Sequence, residues 1–283
     1  MSNSEAPHII ALILAAGAGR RLGGIAVKPL LPLPGMAQGD TTFIERHVEL
    51  LNSFQIKAAV VVPLDQFEQY RFLEDRGAII IANPESALTS GSTMSVRVGL
   101  EALAERDLLT NRDIIIMDCD IVYQRALLAH IVDVGPQTCV AINPTPASDD
   151  EEVRVYGNGC APYLIGKGLP HPITAGLTHL GESVGVIRVA KADIALLRAL
   201  ARWLVGMPPQ LPAFGFARQL SEHEEIWQYF CALGKMTACI LPSGMAFAEC
   251  DTNADYQHIL ETVLPAIRER DSAPHGMMAA APL

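Results

Sequence analysis

Ile9-Ile10-Ala11-Leu12-Ile13-Leu14-Ala15-Ala16-Gly17-Ala18-Gly19-Arg20-Arg21-Leu22 is the stretch whose reading decides the architecture. The apolar run from Ile9 to Leu14 is short and bounded by turn-forming residues, which reads as a strand buried on both faces. It breaks into a glycine-rich loop that extends to Gly24. Small residues let backbone N–H groups approach a polyphosphate closely, and Arg21 and Lys28 flank the loop with positive charge. The segment is therefore a candidate cradle for a nucleoside triphosphate. The dinucleotide fingerprint fails because Leu22 stands where its third glycine belongs, and no Walker A pattern is present.

Outward from this loop, strands and helices alternate. Helical spacing runs through Phe43, Val48, Leu51 and Phe54, with Thr41 or Thr42 as N-cap. A strand at 58–62, a helix from Asp65, a strand at 78–82 and a helix at 92–105 follow; then a buried strand at 114–117, a helix at 124–132 and a strand at 139–142. This alternation predicts an α/β fold, a Rossmann-like three-layer sandwich with a mostly parallel sheet. Past Pro144, short strand candidates at 153–156, 163–165 and 184–189 are separated by Gly and Pro, which predicts a small antiparallel substrate-binding extension. Helical periodicity returns at 193–204 and 226–233, followed by strands near Cys239 and Phe247 and a final helix at 254–268. The expected organisation is a single domain over 8–268, with a nucleotide-binding half at 8–143, an acceptor-binding half at 144–268, and a flexible tail at 269–283.

Composition narrows the partners. The 283 residues are 50% hydrophobic and 18% charged, which excludes a mostly disordered chain. A count of 21 Lys plus Arg against 31 Asp plus Glu, net −10, argues against nucleic acid or an anionic membrane as partner and favours small molecules. No apolar run reaches the roughly 18 to 20 residues of a spanning helix, and no basic leader precedes the first strand. The 6 cysteines contain no C-x-x-C pair, so neither a zinc site nor a disulfide scaffold is indicated. They read as reduced core residues of a cytoplasmic protein.

Further along, Asp118 and Asp120 follow the apolar strand at 114–117, where open α/β sheets place ligands. Asp251 follows a second apolar stretch, Met245 to Ala248. Carboxylates from distant strands converging on a triphosphate suit magnesium, although one Asp after a strand also suits a turn or helix cap. Ser90, Gly91, Ser92 and Ser95 form a small polar entry to a helix, fit either to hydrogen-bond a ligand edge or, for Ser92, to cap the helix. Lys167 follows Gly166 in a turn. The acidic runs 149–152 and 221–225 would attract an amine or quaternary ammonium, or are solvated faces, and Trp227 and Tyr229 either wall a cation or pack.

The pattern A-A-G-x-G-x-R at Ala15 to Arg21, with Lys28 behind it, resembles the nucleotidyltransferase superfamily that joins a nucleoside triphosphate to a phosphorylated sugar, alcohol or phosphonate. Val27 stands where that family usually has proline. Asp118-Cys119-Asp120 resembles the Asp-x-Asp form of phosphocholine cytidylyltransferases, and Glu249-Cys250-Asp251 with Asp255-Tyr256 resembles the family's closing Glu-Ile-Asp motif. Gly181-Glu182-Ser183-Val184-Gly185-Val186 is similar to the Gly-Glu-Ser-x-Gly-Ile stretch of phosphocholine and phosphonate cytidylyltransferases, as distinct from the sugar-specific branch. The resemblance implies that Leu14, Ala15, Ala16, Gly17 and Gly19 wrap the nucleotide. Arg21 and Lys28 would act on its phosphates, Ser90, Gly91, Ser92, Ser95 and Asp118 would complete the nucleotide site, and Asp120 and Asp251 would hold Mg²⁺. Lys167, catalytic as well, would meet the acceptor phosphate with Glu182 and Glu224 beside it. The implied partners are CTP and a small phosphate or phosphonate acceptor, with a homodimer as one possible assembly. A sugar-1-phosphate or molybdenum-cofactor nucleotidyltransferase and a noncatalytic nucleotide-binding regulator are the alternatives.

Overall fold

The apolar runs come together as one mixed sheet in the computed structural model, which describes residues 9–17, 27–36, 39–85, 89–145, 152–207 and 220–272. The first half contains β1 (Ile9–Leu14), β2 (Pro32–Met36), β3 (Gly39–Thr42), α1 (Phe43–Ser53), β4 (Lys57–Pro63), α2 (Phe67–Tyr70), β5 (Ile79–Asn83) and α3 (Ser92–Glu105). It continues through β6 (Asp113–Asp118), β7 (Ile121–Tyr123), α4 (Arg125–Asp133) and β8 (Cys139–Asn143). The second half adds β9 (Arg154–Asn158), β10 (Ala161–Gly166), α5 (His171–Thr174), β11 (Thr178–Val189), α6 (Ile194–Gly206) and α7 (Glu224–Ala232). It closes with β12 (Thr237–Ile240), β13 (Phe247–Glu249), α8 (Asn253–His258) and α9 (Leu264–Ser272).

Nine strands form the main sheet, ordered β10-β9-β11-β6-β1-β4-β5, with β8 on β11 and β12 on β8. Relative to β1, β10 and β11 alone run the other way, so the sheet is mostly parallel. Alternation along β1 explains the layers. Ile9, Ala11 and Ile13 face a core shared with α1 and α4, while Ile10, Leu12 and Leu14 face one shared with α3, α6 and α7. Each fully buried Leu or Ile contributes about 1.5–3 kcal/mol, which outweighs the modest strand propensities. Gly99 lets α3 lie close to β1: a Cβ there would come within 2.6 Å of a Leu12 methyl.

Differences from the sequence-based expectations have local causes. The helix expected from Asp65 is only the four-residue α2 between two tight turns, Leu64–Gln66 and Arg71–Leu73. The hairpin β2–β3 was not expected, because Pro32 and Pro34 cannot donate to a ladder and tolerate only an edge position. The final helix runs from Asn253 to Ser272, longer than expected, and has a widened turn at Ile259–Val263 just before Pro265, which lacks the N–H that a regular turn requires. Cys160 is exposed and so is not a core residue; the other five cysteines are buried. No helix among the described residues is long and apolar enough to cross a membrane.

Candidate active site

The carboxyl ends of β1 and β6 lie side by side, with Leu14 in register with Asp118. The loop after β1 therefore faces the turn after β6. A cleft of about 240 Å³ opens there, lined by Leu14, Ala16, Gly17, Lys28, Ser90, Gly91, Ser92, Ser95, Asp118 and Asp120. Ala15 is buried behind it, its N–H donating to the Val61 carbonyl at 2.8 Å. Gly19 and Arg21 lie outside the described residues. Two features hold the Asp118–Asp120 turn from below: His47 Nε2 is 3.2 Å from the Cys119 carbonyl, and Arg46 Nη2 donates to the Tyr123 carbonyl at 2.5 Å. Burial, reinforced by Arg46, depresses the His47 pKa to about 3 and keeps that ring neutral.

A small two-stranded sheet brings the distant carboxylates together. β13 pairs antiparallel with β7, Glu249 opposite Ile121, and Cys250 N–H donates to the Asp120 carbonyl at 2.9 Å. Asp255 fixes the next turn, its Oδ2 accepting from the backbone N–H of Asp251 at 3.0 Å and of Thr252 at 2.7 Å. In consequence Asp120, Glu249 and Asp251 have ligand oxygens all within 4.8 Å of one another. Glu249 was noted in the motif but was not expected to share the cluster. Lys28, carried on a tight turn with Pro29, places Nζ 2.6 Å from Asp120 Oδ2 and 2.9 Å from Asp251 Oδ1. Burial works against the charged lysine, but Asp120 and Asp251 outweigh it and raise its pKa.

One ammonium does not balance three carboxylates. Burial raises Asp120; Lys28 pulls it back and Asp118 and Asp251 push it up again, leaving a net upward shift. Burial of the Glu249 carboxyl, with Asp120, Asp251 and Asp118, pushes its pKa to about 8, against the pull of Lys167. An all-carboxylate donor set with surplus negative charge, partly answered by a lysine, fits a hard divalent cation. Lys167 is thus close enough to bias the cluster electrostatically.

On the opposite wall the N-terminus of α3 is already engaged. Gly91 is its N-cap and not Ser92, and a Cβ at Gly91 would meet the Ser221 carbonyl at 2.0 Å. Glu222 Oε2 accepts from Ser92 N–H at 3.2 Å and from Ser92 Oγ at 2.6 Å, while His223 N–H donates to Ser92 Oγ at 2.8 Å. Ser95 Oγ accepts from Asn83 at 3.3 Å. A ligand edge that used the Ser92 donors would have to displace Glu222.

His223 was missed as a site residue by sequence reasoning. Its Nε2 lies 3.1 Å from Asp118 Oδ1, and Trp227 Nε1 donates to its Nδ1 at 2.8 Å. Burial lowers the His223 pKa, while Asp118 and then Glu224 pull it upward. The indole nevertheless requires an unprotonated Nδ1, since two donors would otherwise face each other. The geometry therefore describes the neutral ring with Nε2–H donated to Asp118. Gly185 packs on the other side of Asp118, where a Cβ would come within 2.5 Å of Oδ2; its φ of +68° is also a glycine conformation.

Glu182 sits in β11 opposite Asn143, and Glu224 has a buried Oε2 and stands 3.9 Å from His223 Nδ1. Neither lines the cleft; Glu222 does. Trp227 is wholly buried in the core, and Tyr229 packs edge-on against Trp203 with ring centroids 5.2 Å apart, so these residues pack and form no cation wall on the surface. The acidic run at 149–151 lies outside the described residues.

This sheet and its acidic turn define a nucleotidyltransferase of the α/β type. Residues 11–199 match the model of the MobA-like NTP transferase domain, and the chain belongs to that family. No curated protein matches it. Among solved structures it is similar to the inositol-1-phosphate CTP transferase from T. maritima, with TM-score 0.64 and 15% identity over 95% of this chain and 99% of that one. It is also similar to the CTP:phosphocholine cytidylyltransferase LicC from Streptococcus pneumoniae, with TM-score 0.58 and 16% identity over 89% of this chain and 98% of that one. At these identities the likeness concerns the fold.

Proposed function

We propose that the chain, acting as the single domain 8–268, transfers CMP from CTP to a small phosphorylated or phosphonylated alcohol or amine and releases pyrophosphate. The observation that carries this reading is the Asp120–Glu249–Asp251 cluster, whose Asp120 lines one cleft with Ala16 and Gly17 of the phosphate-type loop and is bridged to Asp251 by Lys28. CTP is taken from the motif resemblance of Asp118-Cys119-Asp120 and Gly181 to Val186; the structures that share the fold include two cytidylyl-transferring enzymes and a putative glucose-1-phosphate thymidylyltransferase.

Asp120, Asp251 and Glu249 would hold Mg²⁺, which when bound supplies positive charge against the triphosphate. An acceptor phosphate or phosphonate oxygen attacks the α-phosphorus of CTP, a P–O bond forms to it, and the bond to the β-phosphate oxygen breaks as pyrophosphate leaves. The acceptor is already ionised near neutral pH, so no general base is needed. Backbone groups at Ala16 and Gly17 cradle phosphates, and Arg21, Gly19 and Leu14 complete that wall by motif. Lys28 would set its charge against the phosphates as they gain charge in the transition state. Lys167 receives the acceptor phosphate, while Glu182 and Glu224, which do not line the cleft, take no part in holding it. Ser90, Gly91, Ser92, Ser95 and Asp118 enclose the nucleoside. A cytoplasmic location is consistent with this use of CTP.

The test is pyrophosphate release with CTP, UTP, GTP and ATP against phosphocholine, phosphoethanolamine, 2-aminoethylphosphonate and glucose-1-phosphate. The expected result is CTP with one of the first three acceptors; preference for glucose-1-phosphate or for another nucleotide overturns the reading.

A further inference from the structure

Glu222 reaches the nucleotide cleft from a segment distant in sequence from the β1 loop and from α3. The residue is exposed and lines the cleft together with Ser92 and Ser95 of α3. Its neighbours fasten the segment to the start of that helix. Thr93 N–H donates to the Ser221 carbonyl at 3.2 Å, the Ser221 hydroxyl donates to Thr93 Oγ1 at 2.9 Å, and His223 N–H donates to Ser92 Oγ at 2.8 Å. A group held on both sides in this way is placed firmly enough to choose among ligands.

The carboxylate is oriented as well as placed. Ser92 N–H and Ser92 Oγ both donate to Oε2, at 3.2 and 2.6 Å, whereas Oε1 accepts no hydrogen bond from any described residue. Capping α3 therefore uses one oxygen and leaves the other as a pure acceptor. One turn further along α3, Ser95 lines the same cleft; its Oγ accepts from Asn83 at 3.3 Å, so its own hydrogen is left to donate. An acceptor beside a donor matches the edge of cytosine, whose N4 amino group donates and whose N3 accepts. Uracil carries the reverse, an O4 that accepts and an N3–H that donates, and would set oxygen against oxygen.

We propose that Glu222 selects the nucleobase, its Oε1 accepting from the exocyclic amino group and rejecting a keto oxygen at the same position. This rests on the reading of the cleft as a nucleotide site and deepens it. Ser92 makes the test sharp. In Glu222→Gln its two donors hold the amide oxygen and turn the amide nitrogen to the cleft, so the cap of α3 survives while the acceptor becomes a donor. Binding of CTP, UTP, ATP and ITP to the full chain is measured by calorimetry with Mg²⁺ and without acceptor; the pairs CTP/UTP and ATP/ITP each exchange an amino group for a keto oxygen. The wild type should prefer CTP to UTP at least about tenfold, and Glu222→Gln, melting with the wild type, should lose that preference or reverse it. Ser95→Ala, which removes the adjacent donor, should lower the same ratio and covers the case in which Glu222→Gln fails to fold.

Equal wild-type binding within both pairs, or no saturable binding of any of the four nucleotides, overturns the proposal. So does an unchanged ratio in folded Glu222→Gln, or in Ser95→Ala should the first variant not fold; Glu222 would then only cap α3. The proposed transfer fails separately, when CTP binds with the expected ratio and no acceptor releases pyrophosphate. Tighter binding of ATP, with the ATP/ITP ratio collapsing in Glu222→Gln, would refute CTP as the donor while supporting this role of Glu222.

Discussion

Strand β6 begins with Asp113 and ends with Asp118, two residues before Asp120, and its two ends treat the same side chain in opposite ways. At the start, Asp113 Oδ2 accepts from Arg188 Nε at 3.0 Å and Nη2 at 2.6 Å, and Oδ1 accepts from Lys191 N–H at 2.8 Å. Arg188 Nη1 spends its remaining hydrogens on the carbonyls of Ile131 and Val132. This buried pair is saturated. At the other end three carboxylates cluster with one lysine paired to two of them, and Asp120 of the three lines a cleft. Saturation is what a scaffold needs, because an unpaired buried charge is costly; surplus charge is tolerated only where something else arrives to balance it.

The sharpest way to break this comparison is to exchange the consequences of the two ends. Asp113→Asn keeps the shape but leaves Arg188 an uncompensated buried charge, which should cost about 3–5 kcal/mol in urea unfolding. Activity per folded molecule should be unchanged. A loss of activity without loss of stability would place Asp113 in the site after all. At the opposite end, Asp120→Asn and Asp251→Asn should each lower turnover by at least about a hundredfold while unfolding at an unchanged or higher urea concentration, because surplus charge has been removed. Near-normal rates in either variant would take that residue out of the site.

Smaller effects sharpen the picture. His223→Gln shifts the donor that orients Asp118 and strands the Trp227 indole, so turnover should fall about tenfold with less change in the Michaelis constant for CTP, as expected of misplacement. Restoration of the rate at higher CTP would contradict a positioning role. Glu249 provides a pH signature. Its pKa is about 8 in the folded chain against 4.5 for the ordinary group, so the folded chain holds the extra proton. That stabilisation is complete below the ordinary value and lost as pH rises through the folded one. Without divalent cations the wild-type melting temperature should therefore decline from about pH 5 to about pH 9 more steeply than that of Glu249→Gln, and Mg²⁺ should flatten the difference. Parallel curves would show that Glu249 titrates normally.

Much of the fold was legible because β1, β4 and β6 are buried on both faces and read as unbroken apolar runs. The β2–β3 hairpin was hidden by its prolines, and β7, at three residues, is too short to show a period, whereas the strand expected near Phe247 is β13. Asp120, Asp251 and Lys28 were legible by spacing and resemblance. Glu249 was not, since an acid at a strand end is ordinary until the partner strand brings it against two others. His223 lies 105 residues from Asp118 inside an acidic run that resembles a solvated face, and only the packing of α7 reveals the contact. Glu222 looked like part of an acceptor pocket and proves to bind the N-terminus of α3.

The account rests on the claim that the surplus carboxylates at the end of β6 hold a divalent cation. Mn²⁺ binding followed by electron paramagnetic resonance tests it most directly, using the wild type, Asp120→Asn, Asp251→Asn and Lys28→Ala without nucleotide. The account predicts saturable binding in the wild type, affinity at least about tenfold weaker in each aspartate variant, and tighter binding in Lys28→Ala, where the competing ammonium is gone. Equal binding in the wild type and both aspartate variants, or weaker binding in Lys28→Ala, would contradict it.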